Sequence, residues 1–134
     1  MKKKQTDPKE KSGHTILIVD DDTLDLLLVE LKVRQLWPDC TVIPVRSMRE
    51  AFSEYKKRNF DMVLLDLNLP DTEGPKTVEE MRKFNRTVPI VVVTGFVTED
   101  TVSKSLKNGA NNVYPKAEIR NEDFRNVLEQ NIRR

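Results

Sequence analysis

The sequence predicts an α/β domain with a doubly wound, five-stranded parallel sheet, and three observations predict it. Five short apolar runs alternate with five amphipathic stretches from residue 15 onward. The runs are apolar throughout instead of at every second position, the pattern of strands buried on both faces, and strands joined through helices run parallel. Four of the five runs stop on a polar residue, which places chemistry at one end of the sheet.

The first run, residues 16–19, is Ile-Leu-Ile-Val and stops on Asp20-Asp21-Asp22. After it Leu24, Leu27, Leu28 and Leu31 recur at i, i+3, i+4 and i+7, one face of a helix. The second run, 41–45, contains Pro44, and Met48, Ala51, Phe52 and Tyr55 repeat the helical spacing behind it. The third, 62–65, stops on Asp66. Its loop carries Asp71, Glu73 and Gly74, with Gly74 free to take a special backbone angle and Pro75 suited to a first helical turn. Val78, Met81 and Phe84 mark a weaker helix. The fourth run, 90–93, stops on Thr94, and Val102 and Leu106 mark a helix closed by Asn108-Gly109. The fifth, 113–115, contains Pro115 and stops on Lys116, and Phe124, Val127, Leu128 and Ile132 give the last helix.

Proline costs a ladder hydrogen bond in a central strand, so the second and fifth strands belong at the edges, in agreement with the order 2-1-3-4-5. In that order strands one, three, four and five are neighbours. Asp20-Asp21, Asp66, Thr94 and Lys116 then gather where such sheets bind ligands, beyond the strand carboxyl ends. Carboxylates, a hydroxyl and an ammonium at that place suit a cation and a phosphoryl group.

Composition narrows the classes. The 134 residues suit one domain, and 23 basic against 22 acidic residues leave no domain-wide nucleic-acid footprint. The single cysteine, Cys40, excludes an internal disulfide and points to a reducing, cytoplasmic compartment. No apolar stretch approaches the ~20 residues of a membrane span. The leader, residues 1–14, carries five lysines against Asp7 and Glu10 and is expected to be disordered, with the domain occupying 15–134. The sole histidine, His14, borders that leader, which argues against a histidine triad or zinc site.

On its motif residues the chain resembles the receiver domain of two-component response regulators, a flavodoxin-like family. The resemblance rests on Asp20-Asp21-Asp22 after the first strand, on Asp66-Leu67-Asn68-Leu69-Pro70-Asp71-Thr72-Glu73-Gly74 after the third, and on Thr94-Gly95, Gly109-Ala110 and Lys116. The strand order is in part what this resemblance implies. It further implies that Asp66 accepts a phosphoryl group from a phosphohistidine donor, either a sensor histidine kinase or a histidine phosphotransfer protein. Catalysis of such a transfer is mostly alignment and charge neutralisation. Clustered carboxylates repel one another unless a cation intervenes, and oxygen ligands that leave room for waters favour Mg2+. Asp21, Asp66 and the main-chain carbonyl of Asn68 are the expected direct ligands, with Asp20 acting mainly through water. Thr94 and Lys116 are expected to meet the phosphoryl oxygens. The resemblance assigns the output surface to residues 98–134 and supplies no nucleic-acid contact without an added effector region. No such region follows the last helix, which suits a single-domain regulator or a piece of a larger protein.

Bland explanations stand beside these. Asp20 to Asp22 could be only a helix cap and first-turn cluster, and Thr94 or Lys116 taken alone is ordinary. Two departures from the pattern are visible. Ala117, not proline, follows Lys116, which leaves the backbone of this loop open. Val113 stands three before the lysine, where many receivers carry an aromatic switch, so activation is expected to be read through Thr94 and backbone movement more than through Tyr114. Phe96, two after Thr94, is a candidate shield for the phosphoryl group. A receiver-shaped interaction module that is never phosphorylated is the main rival. A flavin or nucleotide binder lacks its glycine-rich phosphate loop here, and an aspartate-nucleophile phosphatase lacks its second acid, since Asn68 occupies that position.

Overall fold

The computed structural model describes residues 13–95 and 97–133. The leader expected over residues 1–14 therefore lies outside the described residues except for Gly13 and His14, and so do Phe96 and Arg134. Five strands, β1 (Thr15–Val19), β2 (Thr41–Val45), β3 (Met62–Leu65), β4 (Ile90–Thr94) and β5 (Asn112–Pro115), alternate with five helices. These are α1 (Thr23–Leu36), α2 (Met48–Tyr55), α3 (Lys76–Arg82), α4 (Glu99–Lys107) and α5 (Glu122–Asn131). All pairings are parallel and the sheet order is β2-β1-β3-β4-β5, so Pro44 and Pro115 do lie on the two edge strands.

Successive residues of a strand point to opposite faces, and here both faces are covered. Ile16, Ile18, Met62, Leu64, Val91 and Val93 pack with α1 and α5, while Leu17, Val19, Val63, Leu65, Ile90 and Val92 pack with α2 and α3. This two-sided burial is why the runs show no alternation. A buried aliphatic side chain contributes about 1.5–3 kcal/mol, so the inner strands supply much of the cohesion.

Three helical stripes differ from the sequence expectation. In α1 the spacing of Leu24, Leu27, Leu28 and Leu31 marks the outer face: Leu24, Leu27 and Leu31 are 65%, 58% and 54% exposed, and the buried face is Leu26, Val29, Val33 and Leu36. Both sets repeat at helical intervals in a leucine-rich segment, so periodicity alone cannot choose between them. In α4 the stripe is split, with Val102 half-buried and Leu106 exposed, while Ser105 is fully buried. Phe84 falls beyond the end of α3 and stacks on Phe52 at 3.8 Å between ring centroids.

Loop chemistry fixes the helix ends. Asp22 caps α1 by accepting from the Asp25 amide at 3.0 Å, so the capping explanation holds for that one aspartate. Asp71, in the loop after β3, accepts from the amides of Met48 and Arg49 at 3.1 and 3.0 Å and so closes the start of α2 from a distant part of the chain. Gly74 adopts φ 75°, as its loop requires. Gly109 follows the Asn108 cap of α4 with φ 117°, and a Cβ there would lie 2.9 Å from Arg82 Nε. The Arg82 guanidinium in turn donates to the carbonyls of Gly109, Asn85 and Val88, tying the end of α3 to the turn before β5.

Candidate functional site

Strand register brings the polar residues together. Val19 lies opposite Val45 on one side and Leu65 on the other, so Asp20 and Asp66 leave the sheet side by side. The Asp66 amide donates to the Val19 carbonyl at 2.9 Å and the Asp20 amide to the Val45 carbonyl at 3.0 Å. On the far side Thr94 pairs with Pro115, and Lys116 is the next residue.

Lys116 is the hub. Its Nζ lies 3.0 Å from Asp20 Oδ2, 3.0 Å from Asp66 Oδ2 and 2.9 Å from Asp25 Oδ2. The first two carboxylates are only 4% exposed, and each also accepts a main-chain amide, Asp22 onto Asp20 and Leu67 onto Asp66, both at 2.8 Å. Burial by itself would lower the Lys116 ammonium, but hydrogen bonds to Asp25 and Asp20 and the Asp66 charge hold it well above the usual lysine range.

A cleft of about 680 Å³ opens above this cluster. Asp21, Asp66, Asn68, Thr94 and Lys116 all line it, together with Asp22, Asp25, Glu73 and Thr101. Asp20 is not on the wall but beneath it, against Lys116. The loop bearing Asn68 is folded on itself by a bridge between Asn68 and Glu73 and by the Gly74 amide donating to the Leu67 carbonyl at 2.7 Å. No cis peptide bond occurs among the described residues, and Lys116 opens a short 3₁₀ turn, Lys116–Glu118, where proline is not needed. Tyr114 is buried against Phe124, and its hydroxyl meets the Glu118 carbonyl and Asp123 Oδ1, each at 2.8 Å.

Sequence reasoning missed two residues. Asp25 lies three after Asp22, one helical turn along, a spacing that already placed it at the same end of the sheet. Arg46, just past β2, donates from Nη2 to the Asp21 carbonyl at 2.9 Å and to Thr23 Oγ1 at 2.8 Å, bracing the loop that bears the acids. Nothing in its local pattern announced that.

The donor set suits a hard divalent ion. Among the described residues no three acidic, histidine or cysteine side chains form a complete cage. Asp21, Asp66 and Asn68 on an open cleft nevertheless leave room for an ion that keeps part of its water shell.

Asp20 gives the site a measurable pH signature. Burial pushes its carboxyl up from 3.8 to about 6, the Asp66 charge adding to burial while the Asp22 amide and Lys116 oppose it. A carboxyl raised on folding contributes stability that is complete below its unfolded value and is lost as pH rises through the folded one; a separation of this size is worth about 3 kcal/mol. Without divalent cation, the wild-type chain is therefore expected to lose up to about 3 kcal/mol relative to Asp20→Asn between about pH 4 and 7. Urea midpoints of both proteins across that range check it, and a constant gap would contradict it.

The fold and this cleft define a class first: a doubly wound parallel sheet with an acid-and-lysine site at its carboxyl end. The chain belongs to the response regulator receiver domain family, whose model matches residues 16–129. It is 28% identical over 118 residues to the Saccharomyces cerevisiae transcription factor SKN7, a stretch that covers 88% of this chain and 18% of that protein. The chain thus spans less than a fifth of that relative. Among solved structures it resembles the Mn(2+)-bound form of response regulator Rcp1 at 28% identity and TM-score 0.70, covering 87% of this chain and 90% of that one. It also resembles the signal receiver domain of a DNA-binding response regulator from Colwellia psychrerythraea 34H at TM-score 0.78, covering 87% and 96% of the two chains. At 21% identity the second likeness concerns the fold alone. Receiver domains act in two-component signalling, where they interact with histidine kinases. No helix among the described residues is long and apolar enough to cross a membrane.

Proposed function

We propose that this chain is a phosphoacceptor receiver acting in the cytoplasm: Asp66 takes a phosphoryl group from a phosphohistidine donor in the presence of Mg2+, and the modified state changes partner binding. The observation that carries the reading is the junction at Lys116, one ammonium within 3.0 Å of both Asp66 and Asp20 beside an open cleft. An oxygen of the Asp66 carboxylate attacks phosphorus, the bond from phosphorus to the imidazole nitrogen breaks, and the imidazole leaves with the electron pair. Lys116 meets the charge on the phosphoryl oxygens and the Thr94 hydroxyl donates to one of them. Asp21, Asp66 and the Asn68 carbonyl would hold magnesium, with Asp20 reaching it through water; when bound, the ion supplies the remaining charge neutralisation. Acetyl phosphate with magnesium, followed by intact mass, tests the reading: one phosphoryl group is expected, and none would overturn it.

The donor is a histidine kinase or histidine phosphotransfer protein. The outward leucines of α1 support its docking there, because α1 begins at the cleft with Asp22 and Asp25 and presents Leu24, Leu27 and Leu31 to solvent. Replacing Leu27 and Leu31 by Glu is expected to slow transfer from a histidine phosphotransfer protein by about tenfold or more while leaving labelling by acetyl phosphate within about twofold. Equal losses with both donors would remove α1 as the docking face. Output is assigned to α4, β5 and α5, where Leu106 of α4 is exposed. Tyr114, held by Glu118 and Asp123, supports a readout through Thr94 and the backbone instead of a swinging ring.

A further inference from the structure

Asp25 stands outside the motif residues, yet it makes the shortest of the three ion pairs to Lys116, 2.9 Å against 3.0 Å for Asp20 and Asp66. The ammonium donates hydrogen bonds to Asp20 and Asp66 and shares its charge with Asp25 as a third, ion-pair partner. Asp25 differs from the other two in position. Its side chain is 28% exposed where theirs are 4%, so it holds the ammonium from the solvent side, on the wall of the cleft where an anion would enter. Its backbone is fixed, because the Asp25 amide donates to Asp22 Oδ1 at 3.0 Å in the first turn of α1.

Resting on the phosphoacceptor reading, we propose that Asp25 is a positioning residue that competes with the incoming anion for the Lys116 ammonium and thereby limits how tightly the phosphoryl group is held. When an Asp66 oxygen bonds to phosphorus as an acyl phosphate, the carboxylate loses its full charge and releases one N–H of Lys116 to a phosphoryl oxygen. Asp25 stays in its ion pair with Lys116, and its carboxylate cancels part of the ammonium's field at that oxygen. Asp20 is already matched by the Asp22 amide below the cleft, and Asp22 turns its carboxylate to the Asp25 amide, so neither competes from the anion's side.

The test uses the full chain, saturating magnesium and beryllofluoride as the anion, with affinity read by calorimetry and fluorine NMR. Asp25→Asn is expected to bind beryllofluoride about fivefold tighter than wild type, the scale of a partly exposed ion pair. Asp25→Ser is expected to shift in the same direction, and Asp25→Glu, which restores the charge, to stay within about twofold of wild type. Asp22→Asn removes an equal charge from the same cleft without touching Lys116 and is expected to change affinity less than twofold. Unchanged or weaker binding in both neutral Asp25 variants overturns the proposal, and so does an equal gain in Asp22→Asn. A wild-type chain that fails to bind beryllofluoride with magnesium overturns the phosphoacceptor reading itself, whereas normal wild-type binding with no gain at Asp25 removes only this role.

Discussion

Asp66→Asn is expected to take up no phosphoryl group from acetyl phosphate and magnesium under conditions that label the wild-type chain once, as read by intact mass. The amide keeps the size of the carboxylate but lacks its charge and nucleophilic oxygen, and no acyl phosphate can form on it. Folding is expected to survive, because the substitution removes one of three carboxylates crowded on Lys116. The outcome is close to all or none. Labelling of the variant at the wild-type level would place the acceptor elsewhere and end the present assignment.

Lys116→Ala is expected to cost about 3–5 kcal/mol of stability at neutral pH without divalent cation, the usual penalty for removing one partner of a buried ion pair. The magnitude follows from what remains: Asp20 and Asp66, each 4% exposed, would face one another with no cation between them. Two conditions should shrink the loss. Lowering the pH below about 6 lets Asp20 take up a proton, and adding magnesium supplies the missing positive charge. Urea denaturation in chelator and in excess magnesium checks both, and equal midpoints for variant and wild type in chelator would show that the lysine does not hold these acids together.

Much of this arrangement is legible in the order of residues alone. The fold follows from runs whose every residue is apolar, because only strands covered on both faces need that, and two prolines locate the sheet edges. Convergence of Asp66, Thr94 and Lys116 follows from strand order, since parallel strands all end on the same side. Side-chain direction is less legible. In α1 the leucine-rich sequence offers two helical stripes, and only packing against β1 and β2 selects Leu26, Val29, Val33 and Leu36 for the core. The Lys116 to Asp25 contact joins residues distant in the chain and depends on side-chain reach, which residue spacing does not encode. Arg46 illustrates the same limit, because the partners of its guanidinium, Asp21 and Thr23, lie across the loop end of the sheet and far from it in the chain.

The carboxylate of Asp71 makes two segments mechanically inseparable. It grips the leading amides of α2 from the loop that also carries Asn68, so that loop cannot be drawn aside without baring two helix donors, a cost on the order of 1 kcal/mol. Any rearrangement above the cleft large enough to shift Asp71 would thus be felt at α2, on the face of the molecule opposite α1 and α5.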